Sequence, residues 1–161
     1  MNTIINQETY LQGDWERVQI WRKEINEIIS EFEFEYTINE EETLFKDSKG
    51  NDFEIFIGPK AQARITLWQE YDEEAHPNGY YLICALETML SMFGVKIYRR
   101  SNPMCLGLAI DFLYVSKDAF RETILIYIKL LRAGRNKLNE RIAMNEGFES
   151  SSNTDYETTD Q

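Results

Sequence analysis

The sequence predicts an α+β domain, ordered as an N-terminal helix, a three-stranded antiparallel sheet, a central helix, a strand pair and a long C-terminal helix. Three observations carry this reading. Apolar residues recur every three or four positions near both ends, they alternate every second position in the middle, and glycine- or proline-bearing turns separate the two patterns. At 161 residues the chain has room for one domain around one core, and 43% hydrophobic with 13% aromatic content is the make-up of a globular protein.

The first helix is marked by Leu11, Trp15, Val18, Trp21, Ile25, Ile28, Ile29 and Phe32 on one stripe, with Glu16, Arg17, Lys23, Glu24 and Glu27 on the wet side. Asp14 reads as its N-cap, a carboxylate able to accept orphan amides of the first turn. EFEFEYTI then alternates acidic and apolar residues. Phe32, Phe34 and Tyr36 share a side if the segment is extended, but the same letters suit a fraying helix end and a linker. In TLFKDSKGNDFEIFIG a Gly-Asn turn joins two strand-like pieces, the second placing Phe53, Ile55 and Ile57 on one face. Gly58-Pro59 ends that strand, and ARITLWQEY begins a third with Ile65 and Leu67 facing inward.

YYLICALETMLSMFG begins with residues that would also suit a strand. Leu82, Leu86, Met89 and Phe93 at helical spacing favour a helix, closed by Gly94. Its polar stripe is only Cys84, Glu87, Thr88 and Ser91, so it has more apolar surface than one sheet face covers. Either it is sandwiched within the monomer or it forms a homodimer interface. VKIYRR is a short strand, SNPM a turn around Pro103, and CLGLAIDFLYV a longer strand with Leu106, Leu108, Ile110, Phe112 and Tyr114 on one face. Gly107 and Ala109, on its other face, leave room for a closely packed helix. Ser116 is a suitable N-cap for the last helix, which carries Phe120, Ile124, Tyr127, Leu131, Leu138 and Ile142 on one side, with Gly134 as a weak point. GFESSSNTDYETTDQ is polar, acidic and aperiodic, so residues 1–146 read as the domain and 147–161 as a disordered tail.

Charge is segregated along the chain. Residues 1–94 hold seven basic against nineteen acidic side chains, residues 95–141 ten against four, and residues 142–161 none against five, for a net charge of −11. Nucleic acid and anionic membranes repel such a protein, which makes a protein partner or a second copy the expected contact. The N-terminus lacks the basic and apolar regions of a signal peptide, and no apolar run is long enough to span a membrane, so a cytoplasmic protein is expected. Cys84 and Cys105 read as buried free thiols, and His76, alone in DEEAHPNG, as a surface residue. Asp111 is the strand carboxylate an enzyme reading would use, yet no phosphate-binding loop, nucleophile–base pair or metal-ligand spacing accompanies it. Catalytic residues, metals and cofactors are therefore not expected.

The helix ending in FG, strand VKIYRR, turn SNPM, strand LGLAIDFLYV and helix start SKDAFRETILIYIKLL resemble the second half of YbjN-family proteins and of the related type III secretion chaperones. The resemblance covers residues 13–133 as topology and 90–131 as text. It implies a small, acidic, cytosolic, often dimeric protein that binds other polypeptides without catalysis. This chain departs from it in a longer first helix, a basic last helix and an acidic tail. On this reading Trp68, Tyr81, Met89 and Met92 are the partner-binding residues of a chaperone-like or adaptor module, and Arg99 and Arg100 are strand-edge charges or half of an electrostatic contact. The alternative is an inhibitor or immunity-type protein whose acidic residues, Glu31, Glu33, Glu35, Glu40 to Glu42 and Asp72 to Glu74, block a partner's basic, nucleic-acid-binding site.

Overall fold

The computed structural model describes residues 7–32, 34–38, 42–72, 74–76, 79–101 and 104–152, and in them three helices pack with a single six-stranded antiparallel sheet. The helices are α1 (Gln7–Glu31), α2 (Tyr80–Ser91) and α3 (Lys117–Ser152). The strands are β1 (Glu35–Ile38), β2 (Glu42–Lys46), β3 (Asp52–Ile57), β4 (Gln62–Glu70), β5 (Lys96–Ser101) and β6 (Met104–Leu113), in spatial order β1-β2-β3-β4-β6-β5. The α+β class and the order of elements are those the sequence predicts.

Several expectations need correction. The three-stranded sheet and the strand pair are one sheet, because β4 and β6 pair along their whole length, from Gln62 opposite Leu113 to Glu70 opposite Cys105. EFEFEYTI supplies both a helix end and a sixth strand, β1, paired with β2. There Phe32, Phe34, Phe45 and Phe53 follow one another with ring centroids 5.6, 5.2 and 5.1 Å apart, an aromatic file that fixes how the chain leaves α1. Helix α1 starts at Gln7, so Asp14 lies inside it; Gly13 costs it only about 1 kcal/mol. Helix α3 runs past Glu146 to Ser152, and residues 153–161, like Pro103, lie outside the described residues. Its start is the expected one, with the Ser116 hydroxyl accepting the Ala119 amide at 3.2 Å.

Strand periodicity builds the core. Phe53, Leu67, Leu108 and Ile97 stand side by side across β3, β4, β6 and β5, and Ile55, Ile65 and Ile110 form the next row. Val18, Ile25, Ile28 and Ile29 of α1 and Ile124, Ile128, Leu131 and Leu138 of α3 complete the same buried cluster. Gly107 and Ala109 face the other way, away from the helices. A Cβ on Gly107 would stand 2.7 Å from the Trp68 ring, so this glycine is a seat for an indole. Gly134 is likewise no weak point: a Cβ there would lie 3.0 Å from Leu108, and its absence lets α3 settle onto β6.

Charged pairs tie α3 to the rest. Arg121 makes a bidentate contact with Glu31 at 2.7 Å for both bonds, Lys117 meets Glu27, and the Tyr114 hydroxyl donates to Glu24 at 2.5 Å. The β2–β3 turn is organised by Asp47, whose side chain is wholly buried. Its Oδ1 accepts the amides of Lys49 and Asn51 at 2.9 and 3.0 Å, and its Oδ2 accepts Asn51 Nδ2 at 2.7 Å and Arg132 Nε at 2.8 Å. Burial alone would raise this carboxyl, but the donors from Asn51, Arg132 and Lys49 outweigh it and hold the group at about 2. In the next turn, which joins β3 to β4, Lys60 and Ala61 both take left-handed backbone, at φ 62° and 59°.

Both turns can be probed by substitution. Replacing exposed Lys60 by glycine removes the steric cost of its left-handed conformation and should stabilise the fold by about 0.5–1 kcal/mol in urea denaturation; a loss would mean that the lysine side chain is needed there. Asp47→Ala should destabilise by about 2–4 kcal/mol by orphaning Arg132 and the turn amides. Because the folded carboxyl lies near 2 against an ordinary 3.8, its contribution is complete above about pH 5 and drains away as pH falls toward 2, on the order of 2 kcal/mol. The stability gap between wild type and Asp47→Asn should close across that window.

Candidate functional site

Helix α2 is apolar on almost every side, and the packing decides which part of it stays exposed. Tyr81, Cys84, Ala85 and Thr88 are buried, while Leu82, Ile83 and Leu86 are more than half exposed and Leu90 and Phe93 are 89% and 105% exposed. The stripe that reads as polar is thus mostly turned inward. Small side chains let α2 approach α3 closely, and the Thr88 hydroxyl is satisfied within its own helix by the Cys84 carbonyl at 2.8 Å. The Cys84 thiol, pushed up by burial, accepts a hydrogen bond from Asn145 Nδ2 at 3.2 Å. Glu87, the one charged residue of α2, pairs with Arg141 of α3 at 3.1 Å. The outer face is therefore large, apolar and uncharged.

Apolar residues are also exposed on α3. Met92 abuts Gly134, and Leu130 and Ile126, one and two turns earlier on α3, are 41% and 56% exposed. Tyr80 secures the other end of α2 by donating its hydroxyl to the Ile142 carbonyl, with His76 stacked on its ring at 4.1 Å.

The residues singled out in sequence fall in three places. Tyr81 is buried; its hydroxyl donates to the Asp72 carbonyl at 2.8 Å and its ring lies 5.1 Å from Tyr71. Met89 and Met92 are half-buried, Met92 against the core, beside the exposed face rather than on it. Trp68 and Arg100 come together on the sheet face away from the helices, where the guanidinium lies 4.8 Å over the indole and Trp68 Nε1 donates to Glu54 at 2.7 Å. Arg64 lies 4.4 Å over Tyr98 on the same face. Arg99 is exposed on the edge strand, next to Arg100.

Asp111 is exposed and shared by Arg64 Nε at 2.6 Å and Lys96 Nζ at 2.7 Å. The hydrogen bond from Arg64, ahead of the opposing effect of burial and the second bond from Lys96, holds its carboxyl below the ordinary range. Cys84 and Cys105 are buried free thiols, as expected. Of the acidic run, Glu31 is engaged by Arg121 and Glu35 stands opposite Lys46, while Glu33, Glu40, Glu41 and Glu73 lie outside the described residues. Sequence reading did not single out Ile83, and it left the apolar residues of α2 open between a helix sandwiched within the monomer and a dimer interface. The signal that separates the sides is the cluster of small residues, Cys84, Ala85 and Thr88, at contact spacing on one flank of the helix.

No family model matches the chain, and no curated protein does. Two solved structures are similar to it: YbjN from E. coli, a proposed transcription regulator, with a TM-score of 0.54 and 10% identity over 79% of this chain and 92% of that one; and an uncharacterized protein from Methanothermobacter thermautotrophicus, with a TM-score of 0.54 and 12% identity over 78% and 98%. With both neighbours matched over nearly their whole length, the chain has the YbjN-like fold.

Proposed function

We propose that this protein is a non-catalytic, chaperone- or adaptor-like protein-binding module that works as a homodimer, with the outer face of α2 as the surface through which two copies meet. The observation that carries the reading is the orientation of α2, which buries Cys84, Ala85 and Thr88 and presents Leu82, Ile83, Leu86 and Leu90 to solvent, with Phe93 exposed just beyond its end. Together these five expose on the order of 600 Å² of largely apolar surface, against about 800 Å² per partner in a standard interface. The absence of charge on the face matters as much, since two copies of a chain with a net charge of −11 can approach there without setting like charges against each other. A two-fold axis near Leu86 would set Leu82 of one copy beside Leu90 of the other, a self-complementary arrangement. The dimer then offers its sheets and edges to a partner polypeptide.

Sedimentation equilibrium tests the self-association. Wild type should sediment as a dimer at micromolar concentration. Leu86→Glu with Leu90→Glu should sediment as a folded monomer, because both side chains are exposed and add little to the monomer's own stability. A monomeric wild type, or a dimer indifferent to both charges, would refute the reading.

A further inference from the structure

Strand β5 ends the sheet, pairing with β6 on one side and, among the described residues, having no strand on the other. Its six residues, KIYRRS, include neither a proline nor an acidic residue, so the edge is not shortened or interrupted in the way many exposed edges are. It is charged instead. The strand register puts Lys96, Tyr98 and Arg100 on the face away from the helices and Ile97 and Arg99 on the helix side, so basic side chains occupy both flanks of the edge. Acidic side chains balance part of this charge: Asp111 serves both Lys96 and Arg64, and Glu54 and Glu70 line the same pocket as Arg100. Arg100 lies against the Trp68 ring, and Phe93, fully exposed, stands just before the strand.

From this arrangement we infer that the β5 edge takes an extended acidic segment of a partner protein, which adds to the sheet as a seventh strand with carboxylates beside Lys96 and Arg100 on the face away from the helices. The inference rests on the reading of the protein as a polypeptide-binding module and names the chemistry of what it binds. The backbone groups of the edge supply affinity without regard to sequence, and the basic side chains supply selection. A second β5 would bring three cations against three cations, so the edge disfavours pairing with itself. A strand alternating acidic and apolar residues meets charge with charge on that face and lays its apolar side chains on the other, beside Ile97.

The test uses the full chain and fluorescently labelled short peptides in anisotropy titrations. A peptide alternating glutamate and valine should bind, its lysine–valine counterpart should not, and affinity should fall at least about tenfold when salt is raised from low to molar concentration. N-methylation of alternate peptide amides should abolish binding, which separates strand addition from simple charge attraction. Arg99→Glu with Arg100→Glu, checked for folding by circular dichroism, should lose at least about tenfold in affinity. Leu86→Glu with Leu90→Glu should bind the peptide as wild type does, so a failure of the dimer reading leaves this result intact. Undiminished binding of the N-methylated peptide, undiminished binding after the double arginine reversal, or no binding of the glutamate–valine peptide would each overturn the inference.

Discussion

The close approach of α2 to α3 is the contact from which the character of the surface derives. A helix with leucine, isoleucine, tyrosine and methionine around most of its circumference can pack in more than one rotation. The flank that is buried carries the small residues Cys84, Ala85 and Thr88, and on α3 the missing side chain of Gly134 makes room for Leu108 and Met92. Burying a threonine in this way costs little because its hydroxyl turns back to its own helix. The bulky residues are left outside as a consequence of good packing within, which is why an exposed apolar face coexists with a continuous core.

Around that contact, polar groups set position while apolar groups supply most of the cohesion. Glu24, Glu27 and Glu31 recur at helical spacing on α1 and each meets a partner at the end of β6 or the start of α3. They lock the rotation of α1 about its axis, and they take Glu31 out of any acidic face turned toward a partner. Asp47 and Arg132 hold the β2–β3 turn against the middle of α3 in the same manner, and at the buried carboxylate the geometry is tight enough to move its proton affinity. On the opposite sheet face, Arg64 over Tyr98 and Arg100 over Trp68 cover the small residues of β6, so this side meets water through guanidinium groups instead of bare alkyl surface.

Much of the fold was legible because its periods are clean. Phe53, Ile55 and Ile57 alternate as a strand must, and all three are buried; Ser116 caps the helix that the sequence assigns to it. The joining of β4 to β6 was not legible, since pairing partners across an intervening helix leave no local mark. Nor was the side of β6 that meets the helices, because Gly107 suits a helix backbone and an indole ring equally well and only the three-dimensional register selects Trp68. The candidate surface failed in the same way. Periodicity located the apolar residues of α2 but could not say which of them face out, since that depends on α3, a helix some forty residues away in sequence.

The bonds between α1 and the start of α3 also set an order of events for the growing chain. Tyr114, Lys117 and Arg121 each reach a glutamate 90 residues earlier. Throughout synthesis of the sheet, Val18, Ile25, Ile28 and Ile29 therefore remain without the helix that covers them, and loop-closure entropy over such a span makes that docking a late step. During that interval the nascent chain carries on α1 an aliphatic stripe that the sheet and the β3–β4 turn cover only in part, and α3 completes its burial.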